Sequence, residues 1–276
     1  MDRNLSGKGP TFSKNQPDFN LTRILVITAM IIIGVWFASE VRKQDGQFQP
    51  LFLPTPTATR TVDSLVKESQ AYFEAGKLFD PAGKDAIDAY YQVLEANPEN
   101  ARVRAELARL MTYSSSLLST TEEKQQRLSL ARGEIQRAAE DAPDVSTVQA
   151  IRALVLDWSA TTVATSDEER AGWLAEAEQA ANLAINLDPN NSLALAYYAE
   201  VLLDQNRIAQ AQENARLAVE QGPELMDTHR VYGTVLESIG EYRLAIEEFE
   251  QAAEINPNLT FLYIRQYRLQ FLSKCL

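Results

Sequence analysis

Five alanines, Ala86, Ala131, Ala177, Ala211 and Ala245, each stand twelve residues ahead of a proline: Pro98, Pro143, Pro189, Pro223 and Pro257. That register constrains the fold more than any other feature of the 276-residue sequence. Eight residues before the same prolines come Tyr90, Ile135, Ala181, Ala215 and Phe249; five before come Val93, Ala138, Ala184, Ala218 and Ala252. Offsets of four and three put these positions on one face of a helix. Small residues there let a second helix approach closely, while the larger ones fill space between neighbouring pairs. The prolines are spaced by 45, 46, 34 and 34 residues, and about 34 residues is the length of a helix–turn–helix repeat. Ala199 and Gly233, each twenty-four residues before a proline, supply the small site expected on the partner helix.

The unit from His229 to Pro257 carries Tyr232, Gly233, Leu236, Gly240, Tyr242, Ala245, Phe249 and Ala252. On these residues the chain resembles a tetratricopeptide repeat protein, over residues 63–276 and most closely over 190–257. The resemblance implies an all-α fold, a right-handed α-α superhelix of about five helical hairpins over 63–257. Residues 258–276 would then be a C-terminal capping helix or a truncated repeat. Two departures stand out. The second and third units are 11 or 12 residues too long, and the aromatic that usually opens each repeat is mostly missing. The surplus falls between paired helices, at 114–123 and 161–170. Each insertion ends in a capping-box pattern, Thr120 with Glu123 and Ser166 with Glu169, so the second helices are expected to be long, at 121–141 and 167–187. Trp158 and Trp173 flank the second insertion and are expected to pack there and steady the longer hairpin. The competing reading makes them exposed recognition aromatics.

Upstream of the repeats the text changes. Residues 1–20 are polar and expected to be disordered. Ile24 to Ser39 contains no charge, and apolar residues surround the helix rather than forming one stripe. With Leu21, Thr22 and Val41 this makes a transmembrane helix over 21–41, near the ~20 residues a bilayer requires. Bulky Trp36 and Phe37 occupy the positions where a signal peptidase wants small residues, so an uncleaved signal anchor is expected. Arg3, Lys8, Lys14 and Arg23 precede the span, whereas only Arg42 and Lys43 follow closely. That bias places the N-terminus in the cytoplasm and the repeats outside, on the plasma (inner) membrane. Residues 42–62, with Pro50, Pro54 and Pro56 among threonines, form a Pro/Thr-rich linker.

The formal net charge of −12 divides unevenly: +3 on residues 1–62, +3 on 258–276 and −18 on 63–257. So acidic an array argues against binding a phosphate backbone, and no nucleic-acid partner is expected. One cysteine, Cys275, excludes an intrachain disulfide framework and any multi-cysteine metal site. His229 is the single histidine and reads as a packed imidazole rather than a ligand or base. No phosphate-cradling glycine loop or nucleophile elbow is present. No cofactor, no metal and no catalytic residue is assigned.

In the resembled family the first helices of the hairpins line a concave groove that binds extended peptides or helices. Counting 4, 7, 11, 14 and 15 residues past each proline yields the candidate groove positions. The chemically distinctive ones are Arg102, Arg109, Tyr113, Asp157, Trp158, Glu200, Asp204, Asp227, Arg230 and Glu237. Family members that hold a terminal carboxylate place Lys and Asn at the second and third of these positions. Here the pairs are Ala105/Arg109, Ala150/Leu154, Ala196/Glu200 and Arg230/Thr234, so that clamp is missing. Basic residues near Arg102 and acidic ones around Glu200 imply a partner of mixed charge, or one basic towards the C-terminal repeats. A solvated groove face with incidental charges is the plainer reading. After Pro257, residues Leu259, Leu262, Tyr263, Tyr267 and Leu269 offer a cap for the last hairpin, or an apolar face for a second copy of the chain. Cys275 would crosslink such copies or remain a free thiol.

The function expected is a membrane-anchored scaffold mediating protein–protein interaction in cell-envelope complex assembly. The alternatives are a cytoplasm-facing adaptor for an intracellular complex and a helical-array enzyme. The last requires carboxylates converging in one pocket.

Overall fold

Every second helix of the array ends in the same way, and the ending follows from its proline. The residue before a proline is disfavoured in the α region. Asn97, Ala142, Asp188, Gly222 and Asn256 all leave the helix there, with φ between −147° and −128° and ψ between 62° and 99°. Each still donates its N–H to the carbonyl four residues back: Val93, Ala138, Ala184, Ala218 and Ala252. The structure, a computed structural model, describes residues 20–42, 61–80, 83–263 and 265–266. Residues 1–19, most of the 42–62 linker and residues 267–276, with Tyr267, Leu269 and Cys275, lie outside the described residues.

The chain divides into two units, Met1–Thr59 and Arg60–Leu276. The first contains α1 (Leu21–Arg42), whose stretch Leu21–Ser39 is long and apolar enough to cross a membrane. Its 22 residues span about 33 Å at 1.5 Å per residue, against a hydrocarbon core of about 30 Å. The Thr28 hydroxyl donates to the Ile24 carbonyl and Ser39 to that of Trp36, so these polar groups are satisfied within the helix.

The second unit, in its described residues, is all helical. Its helices are α2 (Val62–Glu74), α3 (Ala86–Ala96), α4 (Ala101–Ser115), α5 (Thr121–Asp141), α6 (Ser146–Thr162), α7 (Asp167–Leu187), α8 (Ser192–Asp204), α9 (Ile208–Gln221), α10 (Met226–Ser238) and α11 (Tyr242–Ile255). Consecutive pairs form five hairpins, and first helices α4, α6, α8 and α10 pack side by side. A further helical turn begins at residue 260. The two long second helices occupy the residues expected from their caps.

All fifteen register positions are buried, and the five alanines that define the register are completely so. Gly233 shows why the site is small. A Cβ there would lie 3.2 Å from the Ala245 carbonyl oxygen and from the Phe249 ring. Three hairpins reverse through a left-handed residue, Gly76 (φ 74°), Asn206 (φ 61°) and Gly240 (φ 84°). In each, the N–H of the following residue reaches back into the helix, to the carbonyls of Tyr72, Leu202 and Leu236.

The long hairpins instead rely on hydroxyl caps. Thr120 and Glu123 form the complete reciprocal box. At the second insertion the box is only half formed: Ser166 accepts from the Glu169 N–H, but the Glu169 carboxylate reaches the backbone and hydroxyl of Thr165. The tryptophans also separate. Trp173 packs with Leu156, Ala177 and Val201 under the Arg132 guanidinium, 4.5 Å from its ring centre, and so joins α7 to α5. Trp158 belongs to the inner face of the array.

The last described segment reaches the first hairpin. Asn258 donates to the Glu74 carbonyl at 2.8 Å, 184 residues away. Leu259 and Leu262 join one core cluster with Leu65 and Leu78. Leu259 and Leu262 are therefore buried within the chain and are not presented to a second copy.

Candidate functional site

The inner face is built by the first helices; α4, α8 and α10 contribute residues three or four apart and so on one side, and α6 contributes an adjacent pair. From α4 come Arg109 and Tyr113; from α6, Asp157 and Trp158; from α8, Tyr197, Glu200 and Asp204; from α10, Asp227, Arg230, Thr234 and Glu237. The open, solvated groove expected from the sequence is not what these side chains make. They are largely buried and bound to one another.

Arg230 donates from two nitrogens to the two Glu200 oxygens at 2.8 Å each, and the two residues are only 4% and 7% exposed. This fork-to-fork geometry suits a guanidinium and a carboxylate. The guanidinium also lies 5.6 Å from the Tyr113 ring centre and 5.7 Å from that of Trp158. The Trp158 indole N–H adds a 3.3 Å bond to Glu200. Arg109 bridges Glu106 on its own helix and Asp227 on α10, at 2.9 Å from the latter. The Tyr113 hydroxyl donates to Asp227 and meets the Tyr197 hydroxyl at 3.1 Å. Burial and the Asp227 charge push both phenols well above their ordinary pKa, so they remain protonated donors.

The face is further covered from the two ends of the array. Phe73 of α2 lies 5.6 Å from the Arg109 guanidinium, and Phe261 stacks on Tyr113 at 5.5 Å. Arg109, Tyr113, Glu200, Asp227 and Arg230 are therefore bound to one another inside the array, with the Arg230 Nε left without a hydrogen-bond partner. Arg102 is solvent-exposed. Glu237 is half-buried, 3.9 Å from Arg265, whose guanidinium also donates to Thr234. His229 is packed, as expected, but it also forms an ion pair. Its Nδ1 faces Glu248 at 2.7 Å and its Nε2 the Pro223 carbonyl at 2.9 Å. Burial opposes its charge, yet the two acceptors more than offset this and raise its pKa above the ordinary value.

What remains open is a cavity of about 470 Å3 between α6, α8, α10 and the segment after Pro257. Asp157, Asp204, Glu200 and Arg230 form its polar wall; Trp158, Phe261 and Leu262 form much of the apolar one. Asp157 is 1% exposed, and no N–H or hydroxyl donates to either of its carboxylate oxygens. Burial first, then the Asp204 and Glu200 charges, hold its pKa well above the usual carboxylate range. Asp204 is pushed up to about 6, by burial and then by Glu200. Two such adjacent carboxyls share a proton rather than both ionise. The sequence placed Asp157, Trp158, Glu200, Asp204 and Arg230 on the first helices. It missed Tyr197 and Phe261, and Phe261 was signalled only by the apolar run after Pro257. Among the described residues no cluster of three metal-type ligands exists.

The tetratricopeptide repeat model matches residues 231–259. No curated protein matches the chain in sequence. Among solved structures, a thermophilic TPR protein of Thermus thermophilus is similar with a TM-score of 0.59 at 14% identity, over 76% of this chain and 100% of that one. The human IFIT1 dimer with m7Gppp-AAAA is similar with a TM-score of 0.55 at 17% identity, over 91% of this chain and 54% of that one. The chain thus spans about half the length of the human protein. Hairpin architecture, buried alanine register and matched repeat agree: the chain carries a tetratricopeptide repeat and has the fold of a tetratricopeptide repeat array.

Proposed function

We propose that this chain is a membrane-anchored scaffold that binds protein partners, with α1 as the anchor and the acidic cavity as the principal point of recognition. The observation that carries the reading is the division of the inner face. Most of its charges are spent on each other, and the cavity by Asp157, Trp158 and Asp204 is left open to a ligand. A partner therefore inserts one residue there rather than laying a long peptide along the groove. The apolar Leu21–Ser39 helix supports anchoring. The cation bias around it supports an extracytoplasmic array on the plasma (inner) membrane, serving envelope assembly.

The test is site-specific photo-crosslinking in intact membranes. A photoreactive residue at exposed Thr161, on the cavity rim, should yield discrete adducts, whereas one at Leu130 on α5 should not. Equal labelling from both positions contradicts the reading. Protease added to intact cells should degrade the array; protection would favour the cytoplasm-facing adaptor.

A catalytic reading gains one observation, since Asp157, Glu200 and Asp204 converge in a single cavity. Glu200 is committed to Arg230 and Trp158, however, and Asp157 with Asp204 forms a proton-sharing pair. Glycoside hydrolysis needs two carboxyls roughly 5–9.5 Å apart with the sugar between them, so binding fits the cavity better. The m7Gppp-AAAA ligand of the human structure is disfavoured here for a related reason, because an acidic cavity repels phosphates.

A further inference from the structure

The Asp157 carboxyl is almost completely buried, lines the cavity and receives no N–H or hydroxyl from the protein; its partner is the Asp204 carboxyl, with which it shares a proton. One shared proton leaves the other oxygens of the pair without a donor, and a buried polar group left unsatisfied costs about 1–3 kcal/mol, so the pair suits a ligand that donates to both carboxyls. Three kinds of donor come into question. A metal ion is poorly served, because no three metal-type ligands cluster among the described residues. A guanidinium presents five donors in a rigid plane, but the obvious planar acceptor, Glu200, is already filled by Arg230. An ammonium presents three donors from one point on a flexible apolar stem. Asp157 and Asp204 supply two acceptors, the Thr161 and Thr162 hydroxyls stand in the same wall, and Trp158 and Phe261 provide an apolar and aromatic flank.

We propose that this cavity binds an alkylammonium group, its head between Asp157 and Asp204 and its stem along Trp158 and Phe261. The assignment rests on the reading of the cavity as the recognition site and names the chemistry it takes. The charged groups facing the two aspartates are Glu200 on α8, Arg230 on α10, Arg170 on α7 and Arg265 after Pro257. Arg230 is occupied by Glu200, and Arg265 by Thr234 and Glu237. Burial and their mutual repulsion raise both aspartates, so the two share a proton rather than ionise together. An incoming ammonium favours the ionised carboxylates, so binding releases protons and tightens as pH rises through the Asp204 value of about 6. The shared chemistry has two sources, a lysine side chain of a partner and a free small amine.

The test is calorimetry on the full chain in detergent, with two probes: Nα-acetyl-lysine methylamide and 1,4-diaminobutane. At least one should bind, with norleucine and arginine analogues at least tenfold weaker. Asp204→Asn should weaken that binding at least tenfold and flatten its pH dependence. Asp157→Asn should do the same, with helical content and thermal midpoint measured beside it to establish folding. Tighter binding of the lysine probe identifies a partner side chain as the source; tighter binding of the diamine identifies a soluble amine. No heat from either probe at millimolar concentration, or binding unchanged in Asp204→Asn, overturns the proposal. If Thr161 still crosslinks a partner in that case, the scaffold reading stands and only the ammonium chemistry falls.

Discussion

The two helices of each hairpin do different work, and the difference is visible in what they bury. Second helices α5, α7, α9 and α11 bury mostly alanines at a fixed spacing, with Ile135 and Phe249 filling the wider gaps. First helices α4, α6, α8 and α10 bury charges and phenols as well. Contact across the alanine face is local: each ladder position meets its own hairpin or the next, through backbone brought close. Contact across the polar face is distant, as in Arg109 with Asp227 over 118 residues. Shape is thus set by one helix of each pair, and the specific arrangement of the array by the other.

The polar face should break most expensively. Glu200→Ala leaves Arg230 buried opposite a missing carboxylate, and urea titration should show a loss of about 3–5 kcal/mol. Adding Arg230→Met should recover a good part of it, because an apolar pair avoids the stranded charge. A double variant as unstable as the summed singles would show that the pair is not coupled. The alanine face should break by overpacking. Ala215→Leu is expected to cost about 1–3 kcal/mol by the same titration, whereas Leu130→Ala on the exposed side of α5 should stay within about 0.5.

Gly76→Ala sharpens the contrast from the side of the backbone. The residue holds a left-handed φ, and a Cβ there would sit 2.3 Å from the Asn258 carbonyl oxygen. A loss of at least about 1–2 kcal/mol is expected from the backbone alone. Hydrogen exchange should rise at both ends of the array together, not at one.

Stability also depends on pH, in two windows. The Asp204 carboxyl is raised from 3.8 to about 6 in the folded protein, so folding takes up protons between those values and stability falls as pH rises through them. His229 is raised above 6.5, so its contribution is complete below 6.5 and is lost as pH climbs through the higher folded value. Thermal midpoints should show Asp204→Asn flattening the lower window only and His229→Gln the upper only. A variant that alters both would mean the two sites titrate together.

The same comparison explains what was legible in the sequence. Alanine spacing, the prolines and the hydroxyl caps act within a dozen residues, so the hairpins and even the limits of α5 and α7 could be read directly. The first-helix positions were legible too, because the repeat carries them along. Their pairing was not. Nothing near Arg109 says that Asp227 will meet it, and nothing near Arg230 says that Glu200 will occupy its fork. The expected open groove failed for that reason: the charges were counted correctly but their partners lay in other repeats. Phe261 and Asn258 were hidden in the same way, since a tail that looks merely apolar turns out to cover the inner face.

The Asn258 bond to Glu74 has a consequence for how this array can change. Most repeat proteins gain or lose units freely, because each contacts only its neighbours and stability is a sum of local terms. Here the last turn is fastened to the first hairpin, so a sixth hairpin would carry that turn away from its anchor and a missing one would leave it unable to reach. The surplus residues of this array accordingly sit in lengthened hairpins, α4/α5 and α6/α7, which leave the fastening between Asn258 and Glu74 in place.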